Sequence, residues 1–292
     1  MSDKNCENCN AVLTGPYCSA CGQHAHASAR TLQALLHDVF HDLTHFEGRV
    51  WTSLKFLVTQ PGRLTQEYFS GRRNRFAPPF RLYLVVSVLF FALSSLVERV
   101  DREQPPSTAH TAQTQADPAA TSECAEIHMN SASQERFLRE ICQRVTADGG
   151  RTVSHIFASY IPKTMFVFLP LVAAILALIY RRSGRYYVEH LVLVLHNHAA
   201  TFAFMACGRL LHLLGVGMSH WSAAHSVLVF IRDGFDLGLM VYVPWYTYRS
   251  LRNFYGLSRS STAVKLIPLG LAYLFCLALT FGATFLLSAV LV

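Results

Sequence analysis

Charge is scarce in this chain. Lys, Arg, Asp and Glu make up 15% of its 292 residues, against 52% hydrophobic ones. That balance excludes an ordinary soluble domain. Catalytic signatures are missing too: there is no H-E-x-x-H, nucleophile elbow, P-loop or Rossmann glycine pattern. The letters HNH at 196–198 have nothing nuclease-like around them. The chain therefore reads as non-enzymatic. No signal peptide is expected either, because the first apolar block starts about eighty residues in.

What is present is concentrated in blocks. Five membrane-spanning helices are expected, at about 80–97, 161–180, 188–214, 224–246 and 264–290. Each is close to the roughly 20 residues needed to cross the hydrocarbon. The first is the shortest, and its Arg81 is expected to snorkel to the surface.

The arginines set an orientation. Arg63, Arg72, Arg73, Arg75 and Arg81 surround the start of the first span, and Arg181, Arg182 and Arg185 separate the second from the third. Arg249, Arg252, Arg259 and Lys265 separate the fourth from the fifth, while 215–223 holds neither Lys nor Arg. The positive-inside rule puts the N-terminus in the cytoplasm, and 98–160 and the C-terminus outside. The net charge of +7 is then mostly a topology signal, and nucleic acid is not the expected partner of the basic turn 71–76.

The most specific motif is "CENCNAVLTGPYCSACGQH" at 6–24. Cys6 and Cys9 form one C-x2-C pair and Cys18 and Cys21 a second. Two such turns aim four thiolates at one point, the shell of a structural zinc site. Gly15-Pro16 supplies the turn between the pairs, and Gly22 lets the backbone bend close to the sulfurs. Two disulfides, or iron in the same shell, are the alternatives. His24 and His26 follow as spare ligands or exposed polar residues. A zinc-thiolate site agrees with a reducing cytosol. Residues 1–28 are taken as this ribbon, with no open position for catalysis.

Residues 29–79 form the cytosolic juxtamembrane segment. Apolar spacing predicts an amphipathic helix over 31–59, with Thr31 as N-cap and Pro61-Gly62 as the stop. His37, His41 and His45 on its polar face are either a second metal site or a wet face opposite a buried one. Its apolar side is expected to pack against protein. In the exported segment 98–160, residues 101–122 are Pro-, Ala-, Thr- and Gln-rich and read as disordered, and 133–147 returns to helical spacing. Cys124 and Cys142 there are a candidate disulfide, with free thiols as the alternative.

The third and fourth spans, within 161–292, carry ionisable groups at membrane depth. His198, Arg209 and His212 fall within about 80° of one helix, and Arg232, Asp233 and Asp236 within about 100° of the next. Gly234 and Gly238 form a GxxxG on the far side for close packing. Asp236 is expected to pair with Arg232 one turn away, with His198 and Arg209 facing it. The readings of this seam are a polar lock, a proton or ligand path, and an intramembrane metalloenzyme.

Four stretches carry a family resemblance: "YCSACGQ" (17–23), "QPGRLTQEYFSGRRNRFAPPFRLYLVVSVLFF" (60–91), "YYVEHLVLVLHNHA" (186–199) and "YRSLRNFYGLSRSSTAVKLIPLGLAY" (248–273). They resemble the bacterial family catalogued as domain of unknown function 3667. The resemblance implies an inner-membrane protein with a zinc ribbon and supplies no catalytic residues. The expectation is an all-α polytopic membrane protein of about five transmembrane helices with a small N-terminal zinc ribbon. It reads as a scaffold or sensor whose ribbon and helix 31–59 contact a cytosolic protein, with a small-molecule or proton-coupled transporter as the alternative. Its oligomeric state is not read from the sequence.

Overall fold

The computed structural model describes residues 5–24, 48–103, 124, 131–146, 151–218 and 222–291. Among them there are no strands, only isolated bridges between Asn5 and Val12 and between Tyr17 and His24. The helices are α1 (Arg49–Thr59), α2 (Arg63–Phe69), α3 (Pro79–Glu103), α4 (Ala132–Thr146), α5 (Arg151–Ile179), α6 (Tyr187–Gly217), α7 (Ser222–Tyr255) and α8 (Arg259–Leu291). Only 49–59 of the expected helix 31–59 is described as helix. Thr31, His37, His41 and His45 lie outside the described residues, as do 104–122 of the polar loop and His26.

Among the described residues four helices are long and apolar enough to cross a membrane: Pro79–Asp101, Ser159–Ile179, Tyr187–Gly217 and Arg259–Ala289. The first is longer than expected, because helical backbone continues through polar residues that a hydropathy window discards. For the same reason α5 begins at Arg151, inside the segment expected to be exported loop. The expected fourth span falls outside this set, since Arg232, Asp233 and Asp236 interrupt its apolar run. It is nevertheless the middle of an unbroken 34-residue helix, α7.

Contacts between α6 and α7 show their course. Tyr255 hydrogen-bonds with His190, Ser250 with Asn197, and Phe204 meets Tyr242 edge to face. Farther along, Arg232 meets His212, and His225 reaches the Gly215 carbonyl. The partners fall in reverse order, so α7 runs antiparallel to α6 along nearly its whole length. Four of the five expected crossings are thus apolar enough to span a membrane, and the expected fourth is instead a helix that runs beside α6.

The chain divides into two compact units, residues 1–100 with 172–270, and 101–171 with 271–292. In the second, Cys124 and Cys142 are joined as a disulfide, with Cα atoms 5.7 Å apart. Phe168 there packs edge to face on Tyr273, and Thr164 hydrogen-bonds with Thr284 at 2.9 Å. The first unit contains the ribbon, α1, α2 and the α6–α7 pair. Arg81, at the start of α3, is 9% exposed and so covered by protein. Spacing alone could not show what covers it.

Candidate functional site

The ribbon is built twice from one pattern. Cys6 N–H donates to Ala11 O and Asn10 N–H to Cys6 O; twelve residues on, Cys18 N–H donates to Gln23 O and Gly22 N–H to Cys18 O. Asn10 (φ 62°) and Gly22 (φ 74°) take the same left-handed position after the second cysteine of each pair. Each turn folds its backbone around its own sulfurs. The four Sγ atoms of Cys6, Cys9, Cys18 and Cys21 lie within 4.8 Å of one another. Cys6–Cys21 is 3.7 Å and Cys9–Cys18 is 3.5 Å. These are far beyond a disulfide of about 2.05 Å. They are close to the edge of about 3.8 Å of a tetrahedron with metal–sulfur bonds of about 2.3 Å. A four-thiolate shell fits a metal ion. Burial pushes the Cys21 thiol up, but hydrogen bonds from the Gln23 backbone and Asn8 outweigh it and bring the thiol down to about 6.

The second knuckle also makes a contact that the first does not carry in the same position. Where the first has Ala11, the second has Gln23, and this side chain pins the ribbon to the α2–α3 turn. Its Nε2 donates to Gly71 O at 2.7 Å. Its Oε1 accepts from the backbone N–H groups of Arg73 (3.3 Å) and Asn74 (3.2 Å). Asn74 returns a hydrogen bond to the carbonyl of Cys21, itself a thiolate ligand candidate. One loop thus carries two of the four candidate metal ligands and the joint to the α2–α3 turn.

The α1–α2 hairpin is in turn docked on the ends of α6 and α7. Thr65 Oγ1 and His196 Nδ1 are 2.8 Å apart, both residues buried. The Nε2 of His196 is buried with no hydrogen-bond partner among the described residues. Asn253 Nδ2 donates to Pro61 O at 2.9 Å, and Tyr246 OH donates to Leu57 O at 2.6 Å. Gln66 donates to the Asn253 carbonyl. Gly62, at φ 77°, makes the turn between α1 and α2, where a Cβ would stand 2.5 Å from the Ser250 carbonyl oxygen. Backbone packs on backbone here, and only glycine fits.

Around the joint lies a polar cleft of about 660 Å³ lined by Arg63, Glu67, Arg72, Arg73, Arg185 and Glu189, among others. Its charges are mostly matched: Glu67 pairs with Arg72 and Arg63, and Arg185 pairs with Glu189 at 2.6 Å. Burial raises the Glu67 carboxyl, but the two guanidiniums outweigh it and hold it below the usual carboxylate range. Arg185 also sits 4.1 Å from the Phe254 ring centre, and Lys265 sits 4.6 Å from that of Tyr180. The basic segments on either side of the spans are thereby gathered at one end of this unit.

The expected membrane seam is not continuous. Arg232 does not pair with Asp236: its Nη2 lies 2.7 Å from Asp233 Oδ1, and its Nη1 donates to His212 Nδ1 at 2.9 Å. A long guanidinium arm reached sideways to α6, a choice that helical periodicity does not fix. Asp236 instead sits beside Gly208 in a pocket that it shares with Arg209. His198 is outside that lining and donates Nδ1 to the Val194 carbonyl at 2.9 Å. Nor does GxxxG pack: a Cβ at Gly234 or Gly238 would meet nothing within 4 Å. The close approach is at Gly208, on the other helix.

Sequence reasoning missed Gln23, Thr65, Asn253 and the Glu67 pairs. Helical spacing at 100° per residue puts His196 and Glu189 on the α6 face opposite the seam, and that face is the docked one. Residues 47–91 match the family model described as "Protein of unknown function (DUF3667)". The match covers α1, α2, their joint with the ribbon and the first half of α3, and bears out the resemblance over that stretch. Nothing among curated proteins and no solved structure matches the chain. The stretches at 17–23, 186–199 and 248–273 that share the resemblance all make hydrogen bonds to the matched segment.

Proposed function

We propose that this membrane protein is a non-enzymatic scaffold or sensor of the bacterial inner membrane. Its ribbon holds one structural zinc ion and, with the α1–α2 hairpin, presents a cytosolic face to a protein partner. The observation that carries this reading is the Gln23 pin. The loop that would lose its shape with the metal also holds the turn at Gly71–Asn74, and the hairpin behind that turn is seated on α6 and α7. A change at the ribbon therefore has a mechanical route to the membrane helices.

Three further points support the reading. A four-thiolate shell with no vacant position suits zinc in a structural role. The ribbon and α1 leave Val12, Tyr17 and Trp51 exposed, Trp51 by 72%, and exposed aromatic side chains are favoured anchors at protein interfaces. The collected arginines match the positive-inside rule for a cytoplasmic ribbon. At about 1.5 Å per residue α6 is about 46 Å long, against a hydrocarbon core of about 30 Å. This length leaves room for its first turns, where the hairpin docks, to stand outside the lipid.

The test uses the full chain in native membranes. Elemental analysis should give one zinc per chain, lost in Cys18→Ser. Hydrogen exchange at 60–74 should rise in that variant, and a photo-crosslinker at position 51 should lose its adducts. Unchanged exchange and unchanged adducts after zinc loss would end the proposal.

A further inference from the structure

The polar cleft beside the ribbon, about 660 Å³, has Arg63, Arg72, Arg73 and Arg185 in its wall. All four arginines lie in the first compact unit. Arg63 and Arg72 both turn Nε toward Glu67, and Arg73 donates Nε to Tyr68 O at 3.2 Å. Nε is the inner nitrogen of the guanidinium, so a bond there leaves the terminal fork for something else. Arg63 gives Nη1 to Gln60, and Arg185 gives both Nη atoms to Glu189 and the Phe254 carbonyl. Among the described residues the Nη atoms of Arg72 and Arg73 have no hydrogen-bond partner. Two forks, on adjacent residues of the cleft wall, are left over.

The carboxylates lie beneath the guanidiniums. The side chain of Glu67 is 11% exposed, against 55% for Arg63 and 42% for Arg72. An anion entering the cleft therefore meets guanidinium before it meets Glu67. Holding two guanidiniums on one buried carboxylate also fixes them in advance, which lowers the entropic cost of binding. A fork with two parallel N–H groups matches the oxygens of a phosphate.

The size and charge of the cleft narrow the class. Its volume falls within the range of about 300–1,000 Å³ for small-molecule sites, more than a bare phosphate fills. Glu7, Glu67 and Glu189 also line it, one charge fewer than the arginines. Glu7 is exposed on the ribbon side and has no ion-pair partner among the described residues. That small excess suits one phosphate group and opposes a polyanion such as nucleic acid.

We propose that this cleft binds a phosphorylated small molecule, with its one phosphate group in the forks of Arg72 and Arg73. The same phosphate chemistry occurs on a lipid headgroup. Phe69 is the one hydrocarbon side chain in the lining, too little for acyl chains, which favours a soluble source. The site needs no protein partner on the ribbon, and so stands whether or not the scaffold reading does.

The experiment follows the phosphorus-31 line width of inorganic phosphate titrated with the purified full chain in phosphate-free detergent. The parent should broaden the line saturably, and glycerol 3-phosphate should compete. Arg73→Gln should weaken binding by about tenfold, the worth of one charge-assisted hydrogen bond. Arg73→Lys should weaken it less, since the charge stays and the fork is lost. Arg73 pairs with no carboxylate among the described residues, so either change leaves the Glu67 bridges in place. Glu7→Gln should tighten binding by up to about fivefold, the size of an exposed charge contact. Arg182→Gln, in the exposed turn outside the cleft, should change nothing. No saturable broadening by the folded parent, or parent-like binding by Arg73→Gln, overturns the proposal. So does an equal loss in Arg182→Gln, which would show general attraction to basic charge. Phosphatidylglycerol that co-purifies with the parent, falls in Arg73→Gln and resists displacement by glycerol 3-phosphate would overturn the soluble source.

Discussion

Thr65 and His196, separated by 131 residues in sequence, meet in the interior through a 2.8 Å hydrogen bond between Oγ1 and Nδ1. This bond fastens α2, within the family-matched segment, to the buried first half of α6. Thr65→Val keeps the shape and removes the hydroxyl, leaving a buried ring nitrogen without its partner. The expected cost is about 1–3 kcal/mol. It should appear as a lower melting temperature of the detergent-solubilised protein. His196→Phe should cost less when added to Thr65→Val than when made alone, because the pair is coupled. Additive losses would mean that the two side chains are not partners.

Glu67 makes a pH prediction. Its folded carboxyl is held below the usual value of 4.5, with burial opposed and outweighed by Arg72 and Arg63. The sign follows from linkage: a depressed carboxylate contributes stability that is fully present above the unfolded value. That contribution is lost as pH falls from 4.5 through the lowered folded value. The parent should therefore lose stability more steeply than Glu67→Gln across that acid window, and at neutral pH Glu67→Gln should be the less stable of the two. Parallel acid limbs in a chemical-denaturation series would refute the role of the pair.

The membrane seam yields a comparison of two cycles. Arg232 bonds to Asp233 and His212, whereas Asp236 faces Gly208. A double-mutant cycle on Arg232 and Asp233 should show a coupling of about 0.5 kcal/mol or more. The cycle on Arg232 and Asp236 should be additive within a few tenths. Coupling in the second cycle alone would restore the i,i+4 pairing expected from helical spacing.

Topology offers a fourth test. If α7 crosses wherever α6 does, reporter fusions after residues 100, 184, 218 and 258 should read outside, inside, outside and inside. A fusion at 218 on the same side as one at 258 would remove α7 from the set of crossings. With the segment after α3 outside, the Cys124–Cys142 bridge lies in an oxidising compartment. Free-thiol labelling should then reach neither cysteine without reductant.

Much of this was legible in the residue order because its causes are local. Cys6, Cys9, Cys18 and Cys21 are at spacings that a tight turn converts directly into a common point. The all-α membrane class follows from the length of the apolar runs, since an unsatisfied backbone in lipid leaves only a helix or a closed barrel. The docked hairpin was not legible. Leu57, Pro61 and Thr65 reach partners at Tyr246, Asn253 and His196, and periodicity names a face without naming what lies against it.

By itself the sequence determined the four-thiolate knuckle, the apolar helices and the segregation of arginine, all set by short-range spacing and by the hydrocarbon as solvent. The tertiary structure alone decided which charge Arg232 takes, that Gln23 joins the ribbon to the hairpin, and that α7 lies along α6. These choices depend on side-chain reach and on surfaces brought together from distant parts of the chain. A carboxylate one turn away on a helix is only one of the partners that a flexible guanidinium can reach.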